Sequence, residues 1–249
     1  MIKIFDRLFF MGPMSLGDSF VLCGMVNHYA DRCNELHVPA DPKFYKTIKT
    51  LYQDHLNIRV IAMPQDWHSE DLYVERHQLS RILRIDLVHS IIKNFDITPM
   101  WDIQLYSNYE LSFGLRYSNF RLPKHIEDSE ELYNELSGGE PYILIHRYSN
   151  DFPDGAPINI PAFRAAGNLP DYRVIEIRDG ITDNMMQYVK LIENAQEIHC
   201  IPSSFHCLVD SVPTKARLFF HDIREKTSMA INSAWNDNKW IMVHYQERL

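Results

Sequence analysis

Glycine is scarce in this chain, with 9 in 249 residues, and what is missing around those glycines excludes several ligand classes. There is no Gly-X-Gly anywhere, so the glycine-rich turn that lets a dinucleotide pyrophosphate approach the backbone is absent. No Gly-Lys pair exists, which removes the phosphate loop of the common nucleotide hydrolases. His-Glu-X-X-His and Gly-X-Ser-X-Gly are absent, and no Asp-X-Asp is present to chelate a metal. The four cysteines, Cys23, Cys33, Cys200 and Cys207, form neither a Cys-X-X-Cys pair nor a zinc-ligand spacing. No Asn-X-Ser/Thr acceptor occurs. No apolar run approaches the ~20 residues of a membrane span. Asp6 and Arg7 break the apolar N-terminal stretch, which lacks the uninterrupted core of a signal peptide. The expectation is a cytoplasmic protein without a transmembrane segment.

What is present describes an ordinary globular chain. Hydrophobic residues make up 45% and charged residues 23%, and the net charge is −8. Lys and Arg are scattered through an acidic chain that repels a phosphate backbone, so nucleic acid is not an expected partner. Phosphate on a small molecule remains open, because a few donors suffice.

Strands alternate with helices in two series. Residues 7–11 read as a strand, residues 12–18 as a turn-rich loop, and Phe20, Val21, Met25, Val26 and Tyr29 recur at helical spacing. A strand at 35–39 follows. Asp41-Pro42 is a helix cap with proline at the first position, opening a helix to about Tyr52, and 58–63 is a strand. Residues 77–93 fit either a helix or a strand-helix pair. The aromatic-rich stretch 99–121 lacks periodicity and reads as an excursion or linker. A charged helix over 128–137 ends at Gly138-Gly139. The pattern then restarts with strands at 141–146, 172–177, 197–201 and 216–220, a helical stripe from Asp183 to Ile192, and a helix from Phe205 to Ser211. The tail 227–245 reads as packing across the domains. Two α/β domains are expected, 1–138 and 139–249, each with a parallel sheet.

Two constellations carry candidate chemistry. In the first, Ser15, Gly17 and Asp18 lie in the loop between the first strand and first helix, where open α/β sheets place ligand groups. Gly17 allows close backbone approach. The helix dipole is expected to keep Asp18 ionised, and an ionised carboxylate can take a proton from a hydroxyl. Ser and Asp are also ordinary helix caps here. In the second, Pro202-Ser203-Ser204 joins a strand to a helix, with Phe205 and His206 following, which offers amides and hydroxyls to an anion. One of these serines can equally be the cap. Asp210, further along that helix, reads as solvated. His146, Arg147, Arg178 and Asp179 follow other strands and open on the same edge; Glu176 reads as structural. Trp235 and Trp240 read as packing residues.

Together, Leu16-Gly17-Asp18 and the segment EIHCIPSSFHCLVD resemble the GT-B glycosyltransferases of the lipopolysaccharide heptosyltransferase type. In that group a Gly-Asp loop faces the acceptor, and an Asp-Ser-Gly segment before a helix binds the donor diphosphate. Ser203 matches that serine, Pro202 stands in place of the Asp and Ser204 in place of the Gly, and His206 is near the family histidine but out of register. The resemblance implies an α/β fold of two Rossmann-like domains facing a cleft, trimmed in size. It implies metal-independent transfer from a nucleotide-sugar donor to a glycan acceptor in polysaccharide biosynthesis, with no cofactor. Asp18 would be the base, and Ser203, Ser204, Phe205, His206, His146, Arg147 and Arg178 the donor site. A non-catalytic nucleotide-sugar or glycan-binding protein and a nucleotide-sugar epimerase or hydrolase are the alternatives.

Overall fold

The computed structural model describes residues 5–12, 15–63, 86–89, 100–150, 152–158, 172–223, 229–232 and 236–245. The chain divides into two compact units, Met1–His125 with Ser228–Ala230, and Ile126–Thr227 with Ile231–Leu249. Among the described residues no helix is long and apolar enough to cross a membrane.

In the first unit β1 (Phe5–Met11), β2 (Cys33–Ala40), β3 (Ile58–Ala62) and β4 (Asp86–His89) form a parallel sheet in the order β3-β2-β1-β4. Helix α1 (Leu16–Ala30) is buried on most of its circumference: Phe20, Val21, Cys23 and Met25 are fully enclosed. A helix apolar all round requires cover on both sides, and residues 101–118 supply it. They form α3 (Trp101–Ser107) and α4 (Leu115–Ser118), which correct the expected linker. Trp101, Leu105, Tyr106 and Phe113 are core residues. The Tyr106 hydroxyl donates to the Val21 carbonyl at 2.7 Å, and the Asn27 side chain donates to the Asn119 carbonyl at 2.7 Å. Gly24 makes the approach possible: a Cβ there would sit 2.0 Å from the Leu115 carbonyl oxygen. A fully buried ion pair, Arg116 to Asp102 at 3.0 Å, ties α4 to α3, and Asp102 also accepts from the Ala230 amide.

Asp41 caps a 3-10 turn over Pro42–Phe44 by accepting from the Lys43 amide, and α2 (Tyr45–Leu51) continues from it as the sequence indicates. Of the stretch 77–93, residues 86–89 form β4 and the remainder lies outside the described residues.

The second unit holds α5 (Ser129–Ser137), β5 (Tyr142–His146), β6 (Arg173–Glu176), α6 (Val189–Asn194), β7 (Glu197–Cys200), α7 (Ser204–Ser211), β8 (Arg217–Asp222) and β9 (Trp240–His244). Its strands are parallel in the order β6-β5-β7-β8-β9. Strand β5 (YILIH) is buried at every residue, the signature of a central parallel strand covered on both faces. Helix α5 ends at Gly138 in the left-handed conformation, as expected. It belongs to the second unit, however, rather than closing the first: Ser129 donates to the Gln187 carbonyl at 3.0 Å and Glu130 pairs with Lys190 at 3.2 Å. Asn184 caps the 3-10 turn that leads into α6.

The tail departs most from its sequence reading, because residues 240–244 form the edge strand β9 beside β8. Asp210, expected to be solvated, is buried and holds that strand in place. It accepts from the Trp240 indole at 2.8 Å and from Asn236 at 3.3 Å. Trp240 is buried as expected, and Trp235 lies outside the described residues.

Candidate functional site

Both sheets have a topological switch point, where the chain order reverses and the strand ends leave a crevice. In the first sheet it falls between β1 and β4, in the second between β5 and β7. The two candidate constellations sit at these two places, each within its own unit.

At the end of β1, Ser15 is the cap of α1, in extended conformation, and accepts from the Asp18 amide. Its hydroxyl also donates to Asp18 Oδ2 at 2.6 Å. Gly17 and Asp18 are therefore in the first helical turn rather than in the loop. The helix dipole does not leave Asp18 with a lowered pKa, contrary to the sequence expectation, although the carboxyl is still mostly ionised at pH 7. Burial raises its pKa from 3.8 to about 6, against the lowering effect of the Ser15 hydrogen bond. Desolvation of the charged form outweighs one hydrogen bond here, and the result suits proton transfer at neutral pH better than an ordinary carboxylate would.

At the end of β7, Ser203 caps α7 by accepting from the His206 amide, and its Oγ lies 3.1 Å from His146 Nδ1 at the end of β5. Burial lowers the His146 pKa to about 4, despite the opposing charge of Glu176, so the ring is neutral at pH 7. Its tautomer sets the serine. If Nδ1 carries the hydrogen and donates to Ser203, the serine O–H is available to an anion; the other tautomer takes that O–H for itself. Ser204 opens α7 and is partly exposed.

Phe205 and His206 do not line this edge with their side chains. Both are buried: Phe205 stacks on His146 at 5.0 Å, and His206 packs against Phe220 at 4.9 Å and Trp240 at 4.8 Å. Only their backbone amides belong to the start of the helix.

Glu176, read from the sequence as structural, organises the cations. It sits at the end of β6, on the same edge, and accepts from Arg147 Nε, from the Tyr148 hydroxyl at 3.0 Å and from Arg178 at 3.3 Å. Burial pushes its carboxyl up, but the Arg147 and Tyr148 hydrogen bonds and the two guanidinium charges outweigh it and hold the group below the usual carboxylate range. Arg147 and Arg178 are thus brought together, with one carboxylate between them, so the local charge is about +1 rather than +2. Gly155 borders this group in a positive-φ conformation, with room for a Cβ only 3.1–3.3 Å from Tyr148 and Arg147 atoms. Glu176 was detectable in the sequence as a carboxylate ending a strand parallel to the one that presents Arg147.

Each unit is a parallel α/β sheet with a topological switch point, the fold class expected from the sequence. The structure is similar to that of a family 9 glycosyl transferase from Veillonella parvula, with a TM-score of 0.59 and 9% identity over 96% of this chain and 86% of that one. It is also similar to the E. coli ADP-heptose LPS heptosyltransferase II, at a TM-score of 0.57 and 12% identity over 95% of this chain and 90% of the other. A third similar structure is the dodecameric iron-containing heptosyltransferase TibC in complex with ADP-D-beta-D-heptose. Its TM-score is 0.51 and its identity 14%, over 96% of this chain and 67% of that one. No protein-family model matches the sequence, and no curated protein matches it. At these identities the likeness is one of fold, as the resemblance in the two short motifs implied.

Proposed function

We propose that this protein is a glycosyltransferase that moves a sugar from a nucleotide-sugar donor to a hydroxyl of a glycan acceptor. The observation that carries this reading is Asp18: a carboxylate of pKa about 6 at the switch point of the first sheet, positioned by Ser15. The similarity in fold to known sugar-transferring enzymes supports it.

In the proposed reaction Asp18 takes the proton of the acceptor hydroxyl. The acceptor oxygen forms a bond to the anomeric carbon of the donor sugar as that carbon's bond to the diphosphate breaks, and the electron pair leaves with the nucleoside diphosphate. With no Asp-X-Asp in the chain, charge on the leaving group falls to the amides at the start of α7, the Ser203 and Ser204 hydroxyls, and Arg147 and Arg178. The neutral His146 ring, donating from Nδ1, leaves the Ser203 O–H free for a phosphate oxygen. Glu176 keeps both guanidinium groups on the donor edge while the ligand is absent.

A non-catalytic binding protein on the same fold is the second reading. It is favoured by the Ser203 side chain already serving as a cap and by the partial neutralisation of Arg147 and Arg178.

A thermal-shift panel of UDP, GDP, ADP, CMP and their common sugar conjugates, with and without Mg²⁺, tests the donor site on wild type and Ser203→Ala. A ligand at a hundredfold excess over its Kd stabilises by about 2.7 kcal/mol. The expected result is a base-selective shift that does not need Mg²⁺ and that Ser203→Ala weakens. No shift with any nucleotide overturns the reading, and a shift without sugar transfer to any acceptor leaves the binding protein.

A further inference from the structure

A row of four polar side chains crosses the second sheet without forming part of the site described above: Glu197 and His199 on β7, His221 on β8, and Tyr245 just beyond β9. Glu197, His199 and His221 are 2%, 0% and 1% exposed, and Tyr245 is partly exposed. His199 Nε2 lies 3.5 Å from Glu197 Oε2, and His199 Nδ1 lies 2.9 Å from His221 Nε2. His221 Nδ1 lies 2.7 Å from the Tyr245 hydroxyl. Both imidazoles are thus bonded at both ring nitrogens.

A neutral imidazole has one N–H and one lone pair, so the direction of the whole row is set from one end. Glu197 has Arg217 3.5 Å from its other carboxylate oxygen, which makes it the accepting end. His199 Nε2–H donates to it, and His199 Nδ1 then accepts from His221 Nε2–H. His221 Nδ1 in turn accepts from the Tyr245 O–H. Burial holds the His221 pKa at about 4, so that ring is neutral near pH 7 and does not activate the phenol as a nucleophile. What the row does is fix the Tyr245 hydrogen inward and leave the oxygen lone pairs for a donor outside.

The ring that carries this oxygen packs on a cluster bonded to the proposed donor edge. Tyr245 packs on Ala156, Ile201 and Ile223, which lie beyond the carboxyl ends of β5, β7 and β8. The Ala156 amide donates to the Arg147 carbonyl at 2.7 Å and the Ile201 amide to the His146 carbonyl at 3.2 Å. The apolar shelf under Tyr245 is therefore bonded directly to the two residues that open the donor edge. A fully paired buried polar row is costly to leave half-made, which gives it a fixed geometry rather than a choice of several.

We propose that Tyr245 is a further ligand-binding residue of the second unit, whose phenol oxygen accepts a hydrogen bond from a ribose or sugar hydroxyl of a nucleotide sugar. The Glu197–His199–His221 row holds it in the accepting orientation. This rests on the nucleotide-sugar reading above, and the test separates the two. Calorimetric titration with inorganic pyrophosphate, with the nucleoside diphosphates and with their sugar conjugates compares wild type with Tyr245→Phe. Loss of one such hydrogen bond is expected to weaken binding about tenfold for the ligands that carry the hydroxyl and to leave pyrophosphate unchanged. Weakening of diphosphate and conjugate alike assigns the bond to ribose; weakening of the conjugate alone assigns it to the sugar. Unchanged affinities overturn the role of Tyr245 while leaving the nucleotide-sugar reading intact, and equal loss for all three ligands, pyrophosphate included, marks a structural role and overturns it too. A wild type that binds none of them overturns both. In the free protein, ¹⁵N-histidine spectra are expected to show His221 as the Nε2–H tautomer; an Nδ1–H tautomer reverses the row and overturns the proposal without any ligand.

Discussion

At the scale of single residues, Asp18 connects stability to the proposed catalysis. Its carboxyl is harder to ionise in the folded protein than in the unfolded chain, about 6 against 3.8. A group raised in the folded state stabilises fully below its unfolded pKa, and that contribution is lost as the pH rises through the folded value. Wild type therefore loses stability from this group between about pH 4 and pH 6, whereas Asp18→Asn does not. The expected observation is a Tm for Asp18→Asn that gains on wild type across that window, followed by calorimetry from pH 4 to pH 8. In the same variant turnover is expected to fall by about 10²–10⁴ with donor binding retained. The wild-type kcat/KM profile is expected to rise through an apparent pKa near 6. Turnover by Asp18→Asn equal to wild type removes the assignment of the base. Asp18 was legible as a candidate from its place after the first strand, but its pKa was not. Local helix electrostatics argue for a lowered value, and only the surrounding packing shows that desolvation dominates.

At the scale of elements, the contact between α1 and α4 depends on one missing methyl group. A Cβ on Gly24 meets the Leu115 carbonyl oxygen at 2.0 Å and the Arg116 Cα at 2.9 Å, and backbone atoms cannot rotate away as a side chain can. Gly24→Ala is expected to destabilise the first unit by about 1–3 kcal/mol or more through forced separation of the helices. Urea unfolding followed by Trp101 fluorescence checks it, and a neutral result would mean that the helices separate at no cost. Strands β1, β2, β3, β5, β6, β7 and β8 and helix α1 could be read from apolar runs and helical spacing, because each carries its own local pattern. Helices α3 and α4 could not. At seven and four residues they are too short to show a period, and what holds them is tertiary: the Tyr106 and Asn27 hydrogen bonds and the buried Asp102–Arg116 pair. Strand β9 was hidden for the same reason, since its anchor Asp210 is thirty residues away on α7.

At the scale of the whole molecule, the second unit is built to lose stability in acid. His146 and His221 are both held near 4, well below the ordinary 6.5, and Glu176 is also lowered. All three have the same sign: their contributions are present above the unfolded pKa values and are lost as the pH falls through the folded ones. For each histidine a shift of this size corresponds to at most about 3 kcal/mol, lost between pH 6.5 and 4. The second unit is expected to become markedly less stable over that range, with amide exchange in β5, β7 and β8 accelerating most. Replacing His146 or His221 by a neutral residue that retains folding should flatten the dependence. A second unit as stable at pH 4.5 as at pH 7 contradicts the buried neutral state of both rings.

The sequence by itself determined the fold class, two successive parallel α/β series, because alternating apolar strands and amphipathic helices are local patterns that survive without any knowledge of neighbours. It also indicated that the two candidate constellations follow strand ends, since loops after strands in a parallel sheet emerge on one side. Tertiary structure decided the chemical state of the groups there. Burial set Asp18 near 6 and His146 near 4, parallel pairing of β5 and β6 placed Glu176 between two arginines, and packing turned Phe205 and His206 into the core. A charge or a proton is governed by everything within several ångströms, most of it distant in the chain, and one-dimensional spacing does not contain that information.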